Sequence, residues 1–473
     1  MNRTVAFVSL AGGLALLALV LAVPSNVSSH PAAPPPPPVL KPPTPPAVAA
    51  SSGSLQLQGR LSHPVIGVGR SQLFLTVDVR GAEVPGSERA PVNAALVIDR
   101  SGSMAGEKLA YAKEAAQRFV SQLRDTDRLA IVHYGSDVRV FRSAQATPEN
   151  KARMSSFIRR IQEEGGTNIG DGLEAGRAQL MSALEEFKVN RMILLSDGQP
   201  TEGITSHRAL FNVASRIHRD GLAVSAIGIG TDFNEDLMQG IAERGAGTYG
   251  YLRDGSRLAT IFQKDLEQAG KSVARNVELS FELPDGVELE EVLGYEHTRV
   301  GRTVHVPLVD FSAGQLERVV ARLAVTGSSA GEEVEVARLQ LSYTDLLSEK
   351  PAATGTKLAA RVTDRPEEVA ARQDKDVAVH AARAEAAANV KRAADALSRG
   401  DYDEAKRTLA RNQAIYQAAA AVASPAAVAP EMAAQRKMEA EFSSARAAPA
   451  EEVQHRVKAA KAEAMRDFGR STY

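Results

Sequence analysis

The order of hydrophobic and polar positions predicts a mixed α/β region at residues 91–271. Short apolar runs alternate there with longer stretches of helical period, which is typical of a doubly wound, mostly parallel sheet. The predicted strands are Ala94–Ile98, Arg128–Tyr134, Arg191–Ser196, Ala223–Ile229 and Thr248–Leu252, with Val138–Phe141 as an antiparallel edge. The predicted helices are Glu107–Leu123, Pro148–Ile161, Ile169–Phe187, Ser206–Asp220, Asn234–Arg244 and Ser256–Gln268.

On both sides of this region apolar residues recur at every second position, which predicts antiparallel strands. In residues 54–90, Leu55 and Leu57 alternate with polar residues. In residues 272–350, Phe281 belongs to a run in which every second residue is apolar. We therefore expect the two β segments to form one β-sandwich, with the α/β unit inserted between them.

The remainder of the chain, residues 366–473, is rich in Ala and predicts an α-helical region. The stretch Arg399–Tyr402 breaks two helices, with Asp401 as the N-cap of the second, and the last helix is predicted at Met432–Asp467. Lys and Arg are mixed with Asp and Glu in these helices, which indicates a solvated helix surface and no nucleic-acid patch. We expect this region to serve assembly or a second partner.

The N-terminal residues predict a targeting segment. Arg3 precedes an uncharged apolar run from Val5 to Val23, so residues 1–23 are either a cleaved signal peptide or a retained membrane anchor. A Pro/Ala-rich linker at residues 24–53 is expected to be extended. The mature chain is thus predicted to be extracytoplasmic: periplasmic, secreted or anchored to the cytoplasmic membrane.

The amino-acid composition excludes several kinds of functional site. The chain has 473 residues, 44% of them hydrophobic, with a net charge of −1 and no Cys. That length allows two or three domains. Because the net charge is close to zero, the protein has no overall electrostatic field that would attract nucleic acid. The lack of Cys excludes disulfides, thiolate metal sites and a cysteine nucleophile.

Oxygen-bearing side chains follow three of the predicted elements. Asp99, Ser101 and Ser103 come directly after a buried strand, Thr167 precedes a helix, and Asp197 follows another apolar strand. Because the carboxyl ends of parallel strands meet at one edge of a sheet, we expect these five side chains to converge. Oxygen ligands suit a hard cation, so the sequence predicts a site for Mg²⁺ or Mn²⁺.

These five residues, in this order, resemble the metal-ion-dependent adhesion site of von Willebrand factor type A domains, and the resemblance covers about residues 91–271. The loops Gly165–Ile169 and Ser196–Gly198 and the flanking β segments are similar to those of secreted or envelope-associated bacterial members. The resemblance implies that the serines and the threonine ligate the metal directly, whereas the aspartates often act through water. An Asp or Glu of a partner protein then completes the coordination sphere.

The main hypothesis is therefore an extracytoplasmic protein-binding module of the cell envelope, with an adhesion-type metal site that captures an acidic residue. One alternative is a structural or assembly protein with a non-essential metal site. The other is a metal-assisted hydrolase, which requires a general base or a second metal. No His adjoins the motif loops and no His-Glu-x-x-His motif occurs, so we expect no enzyme activity.

Neighbouring polar residues have simpler interpretations. Asn168 is expected to cap the helix that follows it, and Asp171 to be a first-turn acid of that helix. His133 is interpreted as a packed or rim histidine, and His207 and His218 as solvated residues on a helix face.

Overall fold

The computed structural model describes residues 48–84, 89–230, 233–252, 267–268 and 270–468. The predicted targeting segment, the linker up to residue 47 and most of the predicted helix at residues 256–268 lie outside the described residues. Among the described helices, none combines the length and the apolar character needed to cross a membrane.

The described strands are, in chain order, β1 (Val48–Ser52), β2 (Leu55–Leu61), β3 (Val65–Gly67), β4 (Gly69–Gly81), β5 (Val92–Asp99), β6 (Arg128–Tyr134), β7 (Val138–Gln145), β8 (Val189–Ser196), β9 (Ala223–Ile229), β10 (Ala246–Leu252), β11 (Ser272–Glu282), β12 (Val287–Leu293), β13 (Thr298–Val300), β14 (Thr303–Pro307), β15 (Phe311–Ser312), β16 (Leu316–Gly327), β17 (Glu333–Asp345) and β18 (Lys350–Thr363). The described α-helices are α1 (Glu107–Gln122), α2 (Pro148–Arg159), α3 (Ile169–Met181), α4 (His207–Arg219), α5 (Glu235–Arg244), α6 (Pro366–Ala371), α7 (Lys375–Ser398), α8 (Tyr402–Val422), α9 (Ala429–Ser444) and α10 (Ala450–Asp467).

The α/β region is built on a six-stranded sheet with the order β10-β9-β8-β5-β6-β7. Its neighbouring strands are parallel, except that the edge strand β7 runs antiparallel to β6. One face packs against α1 and α2 and the other against α3, α4 and α5. The predicted doubly wound fold is confirmed. Every residue of β5 is buried, because helices cover both faces of this central strand.

The β segments before and after the α/β region share one core. A five-stranded sheet has the order β1-β2-β4-β16-β12, and a seven-stranded sheet has the order β13-β14-β11-β17-β18-β3. Their inner faces interdigitate in a single hydrophobic cluster that includes Leu55, Leu75, Phe281 and Leu341. The α/β unit is therefore inserted between strands of the same sandwich.

Two predicted domain boundaries are wrong. The linker was placed at residues 24–53, yet β1 covers its end and pairs antiparallel with β2. The sandwich was predicted to end at residue 350, whereas β18 continues to Thr363 and pairs with β17 along its length. The alternation in β18 is hard to recognise in the sequence because Ala, Gly and Thr occupy most positions of its first half.

The C-terminal region packs onto the sandwich. Ala381 and Leu397 of α7 share a core cluster with Val320 of β16, and the hairpin partner α8 adds Leu409. The predicted single helix at Met432–Asp467 is wrong, since a 3₁₀ turn at Ala445–Ala447 and then Pro449 separate α9 from α10. Proline disfavours the α conformation of the residue before it, which explains the break.

Candidate metal centre

The loop after β5 carries the first three predicted ligands. Asp99, the last residue of β5, is fully buried and its Oδ1 accepts a hydrogen bond from the Ser101 backbone N–H at 2.9 Å. Ser101 precedes a 3₁₀ turn, Gly102–Met104, which turns the chain back and places Ser103 beside it. The two serine Oγ atoms lie 3.1 Å apart, with Ser101 buried and Ser103 exposed. Two hydroxyls therefore point to one spot at the end of the central strand.

The loop that holds Thr167 is hydrogen-bonded to the first loop. The Gly102 N–H donates to the Gly165 carbonyl at 3.1 Å, and the Glu164 N–H donates to the Arg100 carbonyl at 2.9 Å. Thr167 itself is buried. These backbone contacts bring the start of α3 to the same sheet edge as the serines.

Asp197 follows β8, the strand next to β5, and its loop contacts the Thr167 loop. The Thr167 N–H donates to Thr201 Oγ1 at 2.9 Å, and the Thr201 N–H donates back to the Thr167 carbonyl at 3.0 Å. The three loops are thus joined to one another. The five predicted residues lie at one edge of the sheet, and their role as metal ligands stays a prediction.

The two carboxylates differ in their partners. Asp99 Oδ2 accepts hydrogen bonds from Ser196 Oγ at 2.5 Å and from the Tyr134 hydroxyl at 3.3 Å. Asp197 Oδ2 lies 3.5 Å from Lys108 Nζ, whereas the buried Asp197 Oδ1 has no hydrogen-bond partner among the described residues. Buried polar atoms nearly always have a partner, so this oxygen marks Asp197 as a candidate ligand.

Burial controls the electrostatics of the centre. It raises the pKa of Asp99 to about 6; the hydrogen bonds from Ser101 and Ser196 lower that pKa, and the negative charge of Asp197 raises it further. Two buried carboxylates whose charges repel each other favour a cation between them. The donor set of carboxylate and hydroxyl oxygens fits Mg²⁺ or Mn²⁺. Within the described residues, no cluster of three or more His, Cys, Asp or Glu could hold a metal, whereas three of the five predicted ligands here are hydroxyl side chains.

Four residues that support the centre were missed in the sequence. Ser196 and Tyr134 hold Asp99, Thr201 holds the Thr167 loop, and Lys108 faces Asp197. Ser196 stands directly before Asp197, and that adjacency was the available clue. Nothing in the local pattern distinguishes Lys108, on α1, from the other helix lysines.

The simpler interpretations of the neighbouring residues have mixed outcomes. Asn168 caps α3 by accepting from the Asp171 N–H, and Asp171 is the first-turn acid, both as predicted. His133 is packed as predicted, with 5% of its surface exposed. His207 is exposed as predicted, whereas His218 is only partly exposed, and burial lowers the pKa of its imidazole.

The comparisons with known proteins agree on one domain type. A model of the von Willebrand factor type A domain matches residues 93–264. The fold is similar to that of a solved von Willebrand factor type A protein from Catenulispora acidiphila, with a TM-score of 0.63 and 20% identity, over 84% of this chain and 91% of that one. It is also similar to the ArnB paralog VWA2 from Sulfolobus acidocaldarius, with a TM-score of 0.52 and 19% identity, over 87% of this chain and 99% of that one. At these identities the likeness concerns the fold alone.

The sequence relatives match only part of this chain. The uncharacterised protein YfbK of Escherichia coli is 28% identical over 265 residues, which is 54% of this chain and 46% of YfbK. An uncharacterised Synechocystis protein is 26% identical over 59% of this chain and 68% of its own length. The human inter-alpha-trypsin inhibitor heavy chain H3 is 28% identical over 40% of this chain and 22% of its own length. The chain thus spans less than half the length of the first and the third of these relatives.

Proposed function

We propose that this chain, whose residues 93–264 match the von Willebrand factor type A domain, binds Mg²⁺ (or Mn²⁺) in order to capture an acidic residue of a partner protein. Domains of this type are commonly protein-interaction modules. The finer proposal is that Asp99, Ser101, Ser103, Thr167 and Asp197 hold the metal, and that the binding takes place outside the cytoplasm.

The observation that carries the proposal is the buried Asp197 Oδ1, which has no hydrogen-bond partner within the described part of the chain. It lies on a loop that is hydrogen-bonded to the Thr167 loop, which is itself bonded to the loop of the two serines. An unsatisfied buried carboxylate oxygen is costly. A divalent cation would remove that cost and the repulsion between the two aspartates.

Each residue has a separate task in this proposal. Asp99 is held in one orientation by the Ser101 N–H, Ser196 and Tyr134, so it presents a fixed negative charge beneath the serines. The exposed Ser103 marks the side from which a partner approaches. A bound metal supplies a Lewis-acidic centre that accepts an oxygen of the partner's carboxylate. Buried contact area around it would provide most of the affinity.

We further propose that the chain is not an enzyme and that it acts outside the cytoplasmic membrane. A metal-assisted hydrolase requires a general base or a second metal, and the described residues offer no cluster of three or more His, Cys, Asp or Glu for it. Support for the location comes from Arg3 and the apolar run that follows it.

Metal binding tests the proposal directly. Isothermal titration of the full chain with Mg²⁺ and Mn²⁺ should give a saturable site, and Ser103→Ala and Thr167→Ala should each weaken it about tenfold or more. Asp171→Asn is the matched control, because Asp171 lies exposed in the first turn of α3 and bonds to Asn168 at 2.8 Å. It should bind metal as the wild type does. Melting curves establish that each variant is folded.

Partner capture separates the proposal from its main rival. The immobilised full chain is incubated with envelope proteins of its native host in Mg²⁺ or in EDTA, beside Ser103→Ala. We expect a protein that the wild type retains in Mg²⁺ alone and that the variant does not retain. If the partner is retained both in EDTA and by Ser103→Ala, the chain would be an assembly protein with a non-essential metal. A wild type that binds no metal would contradict the proposal itself.

A further inference from the structure

The C-terminal helix α10 lies against the segment that leads into α5 of the α/β region. Lys458 Nζ donates to the Phe233 carbonyl at 3.1 Å and lies 4.0 Å from the centre of the Phe233 ring. One turn later, Lys461 Nζ pairs with Asp236 at 3.1 Å and with Glu235 at 3.8 Å. The contact joins residues that are 225 positions apart in the chain.

Both lysines are buried, which is unusual for this residue type. Lys458 is 3% exposed and Lys461 is 6% exposed. Buried ammonium groups are costly unless they are paired, so these residues are not part of a solvated helix surface as the sequence predicted. Lys461 also pairs with Asp395 of α7 at 2.8 Å, which fixes α10 to the helical region at the same time.

The segment that α10 holds is bonded to the metal centre. The Asn234 N–H, one residue after Phe233, donates to the Asp197 carbonyl at 2.8 Å. Gly198 adopts a φ of +65°, and a Cβ there would lie 3.0 Å from Met238 Cγ and 3.1 Å from the Asn234 carbonyl. The start of α5 therefore packs directly on the residue that follows Asp197, and a shift of Phe233 or Asn234 moves the Asp197 backbone.

We propose that Lys458 and Lys461 are positioning residues of the metal centre, which hold the Asp197 loop through Phe233–Asp236. The inference rests on the proposed metal site and deepens it. It makes the metal affinity depend on a helix that lies outside the matched domain. Loss of either lysine should leave its acidic or carbonyl partners unpaired, loosen the start of α5 and misplace the Asp197 carboxylate.

Titration of the full chain with Mg²⁺ measures this dependence. Lys458→Met and Lys461→Met should each weaken metal binding about threefold or more, since coupling through packed elements is of this order. Lys461→Arg keeps the positive charge and should restore most of the affinity. Lys437→Met on α9 is the matched control, because that side chain is 81% exposed, and it should bind metal as the wild type does.

A second measurement does not depend on variants. Since coupling is reciprocal, saturating Mg²⁺ should slow amide hydrogen exchange both in residues 233–244 and in α10 of the wild type. Thr167→Ala at the same Mg²⁺ concentration should lose this protection. The exchange experiment keeps the test valid if a lysine variant proves too unstable to titrate.

The outcomes are distinguishable. If the wild type binds metal and folded Lys458→Met and Lys461→Met bind it with unchanged affinity, the inference is overturned and the metal site remains. The same conclusion follows if Mg²⁺ does not slow hydrogen exchange in α10. Weaker metal binding in the two Met variants, with the affinity restored in Lys461→Arg, supports the inference. Equal weakening in Lys437→Met overturns it, because the effect would then be a general one of net charge. A wild type without metal binding overturns the proposed function and this inference together.

Discussion

Asp99 and Asp197 show how two residues of one type acquire different tasks. Both are buried at the ends of neighbouring parallel strands. Asp99 accepts hydrogen bonds at both oxygens, so its orientation is set by the protein. Asp197 has one oxygen near Lys108 and one without a partner among the described residues. In the proposed site, Asp197 is therefore the carboxylate with an oxygen left for the cation.

His133 provides a residue-scale prediction of pH dependence. Burial, followed by the positive charges of Arg100 and Arg139, lowers the pKa of its imidazole to about 4 from 6.5. Between pH 6.5 and pH 4, His133 is therefore protonated in the unfolded chain but not in the folded chain. The stability present above pH 6.5 should be lost as the pH falls toward 4.

Substitution isolates this contribution. His133→Phe should reduce the fall in the free energy of unfolding between pH 7 and pH 5, as measured by urea denaturation. His297→Phe, at an exposed position, serves as the control and should retain the wild-type fall. Equal pH profiles for wild type and His133→Phe would contradict the assignment.

At the scale of elements, capping side chains fix where the helices begin. Asn168, Asn234 and Asp401 each accept a backbone N–H at the start of α3, α5 and α8. Asp374 does more at the start of α7, since it accepts from the Asp376 and Val377 N–H groups and also pairs with Arg60 of β2 at 2.8 Å. That residue both begins the helix and fastens it to the sandwich.

The difference between these caps is testable. Asp401→Ala removes a cap alone and should lower the free energy of unfolding by about 1 kcal/mol. Asp374→Ala removes a cap and leaves the guanidinium of Arg60 without its buried partner, so it should cost about 3 kcal/mol. Chemical denaturation of both variants measures the two values. Equal losses would show that the pair with Arg60 adds nothing.

At the scale of the whole molecule, α10 connects parts of the chain that the sequence keeps far apart. Phe468 packs on Gly294, at the end of β12, and Met465 Sδ accepts from Gln239 Nε2 of α5 at 3.2 Å. Lys461 contacts α5 and α7. The sandwich, the α/β region and the helical region therefore meet along one helix.

Gly294 tests this junction. Its φ is +76° and an added Cβ would lie 2.2 Å from Phe468 Cγ, so Gly294→Ala should displace the end of α10 and destabilise the protein by about 2 kcal/mol. Gly301→Ala is the control, because Gly301 has a similar φ of +61° and nothing within 4 Å of the added Cβ. Faster hydrogen exchange in α10 should appear in Gly294→Ala alone. Equal exchange in both variants would show that backbone strain, and not the clash, is responsible.

Local pattern was sufficient for the fold of the α/β region and for the choice of candidate ligands. The apolar run of β5 identifies a strand covered on both faces, and the polar residues directly after β5 and β8 identify its functional edge. These features are local or follow from the geometry of parallel sheets, so sequence is enough to predict them. Strand β18 was not predictable in this way, because small residues in its first half weaken the alternation.

Only the tertiary structure decided which atoms are satisfied and which are not. The hydrogen bonds of Ser196 and Tyr134 to Asp99 and the burial of the α10 lysines depend on contacts between segments distant in the chain. The same holds for Asp197 Oδ1, which has no partner among the residues that the structure describes. A lysine in a helix has the same local sequence pattern whether solvent or a carboxylate faces it. Burial and pairing are properties of the packed molecule, and they set the electrostatics of the site.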